Sequence, residues 1–281
     1  MLSKPPLPSR LKNVIRRQVV GLFNDVDGGE APVVRSDNSL FARDSVVWRV
    51  HGDIGSMMVG GVASLLMQML HPSVLAGVWD HSNFRADMHG RLRRTARFIA
   101  RTTYAQRCEA EAAIATVRRV HDQVNGRLPD GTLYEANDPK LLAWVHVTET
   151  TSFLDAWIRY SEPLMSRSDQ DSYFAQVARI GEALGADPVP RSRAEAKQII
   201  DAMRPELRVD GRTREVAGLI MEGRTSATLP EAPRKLAMHA AVDLLSPWAR
   251  AMHGLDLSPF RRPFVRAGTL GVAQTLRWAF R

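Results

Sequence analysis

Only one of the 281 residues is a cysteine, Cys108. This excludes an intramolecular disulfide, a structural zinc knuckle and a Cys-x-x-Cys-His haem attachment, so any iron cofactor has to be held without thioether bonds. Acidic residues are in the minority: 30 Asp+Glu against 38 Lys+Arg leave a formal charge of +8 and a pI near 10.2. That excess permits contact with phosphates or anionic lipid whatever the fold, and establishes neither. Gly-x-x-x-x-Gly-Lys-Ser/Thr, Gly-x-Ser-x-Gly and His-Glu-x-x-His are all missing, and no Gly-x-Gly-x-x-Gly follows a strand pattern. Dinucleotide-fold, P-loop, serine-hydrolase and zincin readings thereby lose their main support. No run alternates apolar and polar residues as a half-buried strand does, and no internal repeat is present. The first 23 residues lack the apolar core and small-residue cleavage site of a secretory signal, so a cytoplasmic location is expected.

The composition is that of a globular protein, with 44% hydrophobic and 24% charged residues. It excludes a disordered tail protein and a fibrous repeat. The length allows a sizeable core, in one large domain or at most two small ones. Leu11, Val14, Ile15, Val19, Leu22 and Phe23 share one face of a basic amphipathic helix, suited to packing on the domain or to resting on a membrane surface. A turn-rich loop with Asp25, Asp27, Gly28, Gly29 and Pro32 follows over 24–38. The uncharged stretch 54–79 is long enough to span a bilayer, yet its Gly, Ser, Gln68, His71 and Pro72 favour a buried core helix ending near His71. Further helices are expected over 106–124, ending at Asn125-Gly126 as a left-handed cap, and from Asp138-Pro139 to about Tyr160. Helical periodicity continues over 170–184, 192–203, 212–221 and 233–248. The expected fold is all-α.

Histidine and arginine placement is the unusual feature. His121 shares a helix face with Val117 and Val124. A histidine there serves either as an iron ligand through a neutral ring nitrogen or as a hydrogen-bonded core residue, and the residues alone leave both open. Upstream, Arg91, Arg94 and Thr95 stand at i, i+3 and i+4, two guanidiniums and a hydroxyl on one face. Such a face either clamps carboxylates, haem propionates among them, or is simply solvated. Arg97 and Arg101 extend its basic character. His146 and Glu149 reverse the Glu-x-x-His order of di-iron bundles and have no second copy. A hydrogen-bonded pair lining a cavity is the better expectation than a di-iron enzyme. Cys108 has no glycine-rich loop around it and is expected to be a buried, inert thiol.

Read in order, His51-Gly52-Asp53, then Leu65 to His71-Pro72, then Gly77-Val78-Trp79-Asp80-His81-Ser82-Asn83-Phe84 come first. Gly90-Arg91-Leu92-Arg93-Arg94-Thr95, Thr103-Tyr104, His121-Asp122-Gln123-Val124-Asn125-Gly126, Tyr134 to Pro139 and Leu142-Ala143-Trp144-Val145-His146 follow. This series, over about 48–255, resembles the family of the oxygenase MpaB and the rubber oxygenases, or latex clearing proteins. The resemblance implies a single globular, globin-reminiscent helical domain with a haem pocket between core helices. On that basis residues 1–38 form a basic helix and loop, 39–255 the haem-binding domain and 256–281 a helical extension packed on it.

The same resemblance implies one non-covalent haem b and an oxidoreductase that uses O2 or peroxide on a hydrophobic, isoprenoid- or lipid-like substrate. Its proximal histidine matches His121, expected to be the metal ligand. The arginine and threonine of its Arg-x-x-Lys-Thr motif match Arg91 and Thr95, expected to bind the cofactor and, with Arg94, to act in catalysis. Arg94 occupies the lysine position, and an arginine stays protonated and ligates no metal, so the sixth iron site is expected to be open or water-filled. The acidic residue of the rubber-cleaving members has no aligned position here, so polyisoprene cleavage is not implied. His71, His81 and His146 are expected in structural or supporting roles, and Asp53 as a cap or an arginine's partner. A haem- or lipid-binding protein without turnover is the alternative. Peripheral membrane contact fits the basic helix, and no nucleic acid is expected as a partner because the basic residues are dispersed.

Overall fold

The helices begin where a side chain takes up free backbone N–H groups. Asp53 accepts from Ser56, Asp87 from Gly90, and Asp138 from both Lys140 and Leu141. Ser45, Ser166 and Ser192 cap three others in the same way. A computed structural model describes residues 7–24, 28–222 and 231–281; the expected loop residues Asp25 and Asp27 lie outside the described residues.

In chain order the elements are α1 (Leu7–Phe23), α2 (Val46–His51), α3 (Ile54–Gln68), α4 (Pro72–His81), α5 (Met88–Tyr104) and α6 (Arg107–His121). A two-stranded hairpin, β1 (Asn125–Arg127) and β2 (Leu133–Glu135), leads to α7 (Pro139–Tyr160), α8 (Arg167–Leu184) and α9 (Arg193–Met203). A 3-10 turn (Arg204–Glu206), α10 (Gly211–Glu222), α11 (Glu231–Leu244), α12 (Pro247–His253) and α13 (Arg262–Phe280) complete it. The molecule is a single helical domain, 70% helical.

Its centre is the packing of α3 on α7. A Cβ at Gly60 would lie 2.8 Å from the Ser152 carbonyl and 3.0 Å from the Phe153 Cα, so only glycine allows this approach. Leu66, Leu70, Trp144, Val147 and Leu154 are fully buried around that contact. The composition of 54–79 is therefore that of a core segment. Among the described residues no single helix is long and apolar enough to cross a membrane, and α3 and α4 bend by 105° where His71-Pro72 joins them.

Two buried carboxylates fasten α13 to the core. Asp53 caps α3 and also receives Arg277 Nε at 2.6 Å, while Arg277 donates to the Tyr160 carbonyl and Ser161. Asp243 of α11 receives Arg159 at 2.8 Å and Arg266 at 2.7 Å, with Arg262 at 3.8 Å. Burial, the largest influence on each carboxyl, raises its pKa. The surrounding arginines and capping bonds outweigh it and hold both below the usual value. The amphipathic helix α1 packs on α13, burying Val19 and leaving Leu11 and Val14 exposed.

Two local expectations are corrected. Asn125-Gly126 is not a left-handed cap: α6 stops at His121, and Gly126 pairs with Tyr134 in the hairpin. A Cβ at Gly126 would meet the Tyr134 hydroxyl at 2.7 Å, so the glycine serves close packing. The left-handed helix ends are Gly185 after α8 and Gly254 after α12. The expected helix over 233–248 is two, broken at Ser246-Pro247, where proline starts α12.

Candidate active site

Between α3, α5, α6, α7 and α8 lies a cavity of about 1340 Å³. Drug-sized ligand pockets run to roughly 300–1,000 Å³, so this one has room for a larger guest. Its walls are mostly apolar, with Leu65, Val74, Phe98, Val117, Val145 and Val177 among them. They come from the inward stripes of the amphipathic helices α5, α6 and α8 and from the core helices α3 and α7.

His121, the last residue of α6, lines this cavity, and its Nδ1 is buried without a hydrogen-bond partner. Burial, and then the nearby Arg91, push its pKa down, while the Asn137 side chain and Asp122 oppose them; the ring is neutral near pH 7. A neutral imidazole is the form that ligates a metal. The Asn137 Oδ1 beside it is likewise buried and unpaired, an acceptor on hand for a ring N–H. Such a bond orients a ligating histidine.

Arg91 also lines the cavity and is largely enclosed. Its guanidinium has no carboxylate and no hydrogen-bond partner among the described residues. Burial and then Arg94 pull its pKa down to about 10, which still leaves it charged. Enclosed charges are normally paired, so this arginine is set for an anionic group that the chain itself does not supply.

Arg94 and Thr95 reach the same cavity from more exposed positions. Arg94 pairs with Asp87 at 3.3 Å, and the Thr95 hydroxyl donates to the Arg91 carbonyl at 3.2 Å. The expected face is present, and one of its three polar groups is enclosed.

His71 caps nothing with its side chain and stands 3.8 Å from Glu206; His81 bonds the Asn125 carbonyl at 3.0 Å. His146 and Glu149 line the cavity, as expected, but make no hydrogen bond to each other. Their i, i+3 spacing aims both side chains into the cavity rather than across it. Cys108 is exposed, a second correction: it sits in the first turn of α6, on the solvent side. The sequence assigns no role to His51 and Tyr104, although both stand in motifs of the family series, and does not mark Tyr173; all three line the cavity. His51 bonds Thr103 and Tyr173, each at 2.8 Å. Its one visible signal is a polar end on the otherwise apolar turn Val46-Val47-Trp48.

A helical domain built around a large apolar cavity, with a histidine whose Nδ1 has no partner and an arginine without a carboxylate in its wall, defines a protein that encloses an apolar guest or a cofactor. Residues 48–278 match the family of catalytic domains described as ER-bound oxygenase mpaB/B′ and rubber oxygenase, and the chain belongs to that family. The family is one of oxygenases, so the chain is an enzyme of oxygenase type. The matched span runs beyond Leu255 through most of α13. No curated protein and no solved structure matches the chain.

Proposed function

We propose that the protein is a haem-b-dependent oxygenase that uses O2 or peroxide to oxidise a hydrophobic, isoprenoid- or lipid-like molecule. The observation that carries this reading is the pairing of His121, neutral and with its Nδ1 unpartnered, with Arg91, enclosed and without a counter-ion, in one cavity wall. These residues fit a haem: His121 would supply an imidazole to its iron and Arg91 a guanidinium to a propionate. Among the described residues no three His, Cys, Asp or Glu side chains converge where they could hold a metal ion. A porphyrin brings four ring nitrogens of its own and asks the protein for a single axial ligand, which suits this wall better than a centre built from side chains alone.

When bound, haem supplies the iron at which the oxidant is activated. His121 would hold it, and Arg91 would bind a carboxylate and contribute positive charge to the wall. Arg94 and Thr95, nearer the opening, would complete the polar side, and the apolar walls would exclude water and take up the substrate. We further propose peripheral contact with an anionic membrane. Leu11, Val14, Trp278 and Phe280 are exposed, and Lys12 lies 5.0 Å over the Trp278 ring, which joins them into one patch. Arg17 and Arg281 flank it, and Phe280 and Arg281 also line the cavity. That is an apolar, cationic rim suited to drawing substrate from lipid.

The test is the visible spectrum of the purified protein with iron, porphyrin and protein quantified together, followed by oxygen uptake with apolar substrates. A Soret band at one haem per chain, much reduced in Arg91→Leu, is expected. Iron without porphyrin, or no oxygen uptake with any apolar compound, would overturn the reading.

A further inference from the structure

The cavity reaches well beyond His121 and Arg91. Arg91 and Tyr104 both line it from α5, thirteen residues apart, which is roughly 20 Å along a helix at 1.5 Å per residue. Around Tyr104 gather polar side chains for which the haem reading has no use. His51 comes from α2, Tyr104 from α5, His146 and Glu149 from α7, and Tyr173 from α8.

Two of these are already satisfied: His51 spends its ring nitrogens on Thr103 and on Tyr173. The others are not. The Tyr104 hydroxyl and the His146 Nε2 are buried without a partner, and burial alone, with no hydrogen bond or ion pair, sets the state of the Glu149 carboxyl. The His146 ring lies flat over Gly181, so a missing side chain on α8 leaves space for it. A buried polar group without a partner is costly, so these groups are set for a partner from outside the chain.

The electrostatics narrow the partner. Burial pushes Glu149 up to about 7 and holds His51 and His146 down to about 3 and about 4. It pushes Tyr104 and Tyr173 up as well, with Glu149 and Tyr104 adding to the effect on Tyr173. The positive charge nearest this end, Arg35, is solvent-exposed and stacked over the Trp48 and Tyr104 rings, and Arg91 is at the other end. A hydrocarbon would leave Tyr104, His146 and Glu149 unsatisfied. A hydroxyl group both donates and accepts, and can serve a carboxyl and a neutral imidazole together.

We propose that this end of the cavity is a polar subsite for the hydroxyl of a long, otherwise apolar alcohol, with Glu149 and His146 as its hydrogen-bonding partners. The proposal rests on reading the cavity as the substrate site, and it names the substrate class. The alcohol's chain lies along α5, and its far end reaches the His121 side.

The test is displacement of Nile red from the purified full-length protein by lauryl alcohol, dodecane, lauric acid and laurylamine, with haem content recorded in every sample. Lauryl alcohol should compete about tenfold better than dodecane or lauric acid, the worth of one net hydrogen bond. Glu149→Leu should abolish that preference while dodecane still competes, and Glu149→Gln, which keeps the shape, should retain part of it. His121→Ala should lose haem and keep the preference, so a failure of the haem assignment and a failure of the subsite read out separately. Equal competition by alcohol and dodecane, or a preference that survives Glu149→Leu, would overturn the proposal. Tightest binding of laurylamine would make the site a cation site and overturn it too. If none of the four displaces the dye, the cavity is not an apolar substrate site and both readings fall.

Discussion

The ring of His146 lies against the bare Cα of Gly181, one helix over: a Cβ there would stand 3.0 Å from Cε1, Nδ1 and Nε2 alike. Gly181 sits inside α8, where alanine would ordinarily stabilise by about 1 kcal/mol. Here Gly181→Ala is expected to destabilise by about 1–3 kcal/mol, because the buried His146 ring has to give way by a few tenths of an ångström. Denaturant unfolding of Gly181→Ala, His146→Ala and the double variant checks it. The two effects should be strongly non-additive, since removing the ring removes the clash.

Neutral buried histidines make stability fall in acid. His51 and His146 have folded values of about 3 and about 4, against about 6.5 when unfolded. Lowered folded values mean that the unfolded chain binds the extra protons. Stability is therefore full above pH 6.5 and is lost as pH falls towards 4, by roughly 1.4 kcal/mol per pH unit for each histidine. Glu149 acts in the opposite sense: its folded value of about 7 is raised, so its contribution is full below the unfolded value near 4.3 and is lost as pH rises through 7. Glu149→Gln should accordingly steepen the acid loss between pH 4.3 and 6.5 and gain stability at pH 8. Equilibrium unfolding across pH 4 to 8 measures both.

Asp243 is the buried anchor of α13, shared by Arg159, Arg262 and Arg266. Asp243→Asn should cost about 3–5 kcal/mol, because it leaves partly buried guanidiniums without their partner. Because its folded pKa is depressed, the stability it contributes is present above about pH 4 and lost as pH falls below it. An unfolding midpoint that Asp243→Asn leaves unchanged would remove this anchor from the account.

The rim of α1 and α13 should bind anionic vesicles. Leu11→Ser with Trp278→Ser and Phe280→Ser is expected to reduce co-sedimentation with phosphatidylserine vesicles at least tenfold, and high salt should weaken binding by the wild type. Equal sedimentation of both proteins would exclude this patch as the contact.

The helical architecture was legible because its punctuation is local. Asp138-Pro139, Ser192 and the spacing of Leu11, Val14, Ile15 and Val19 mark starts and faces without reference to anything distant. What stayed hidden depends on partners far apart in the chain. Gly126 reads as a helix cap until Tyr134 is opposite it, and Cys108 reads as buried until α6 turns its first turn to solvent. The His146-Glu149 pair was visible at i, i+3, but its lack of a bond follows from the empty space beside it and from Gly181 on another helix. Likewise the nearness of Arg91 to His121 arises only when α5 and α6 pack together.

The central claim, that His121 is the axial ligand of a haem, is tested most directly by comparing the visible spectra of wild type, His121→Ala and His146→Ala, purified from haem-supplemented cells. The account predicts one haem per chain with a Soret band in the wild type and in His146→Ala, and loss of both band and porphyrin in His121→Ala with the fold intact by circular dichroism. Full haem occupancy and an unchanged spectrum in His121→Ala would contradict it.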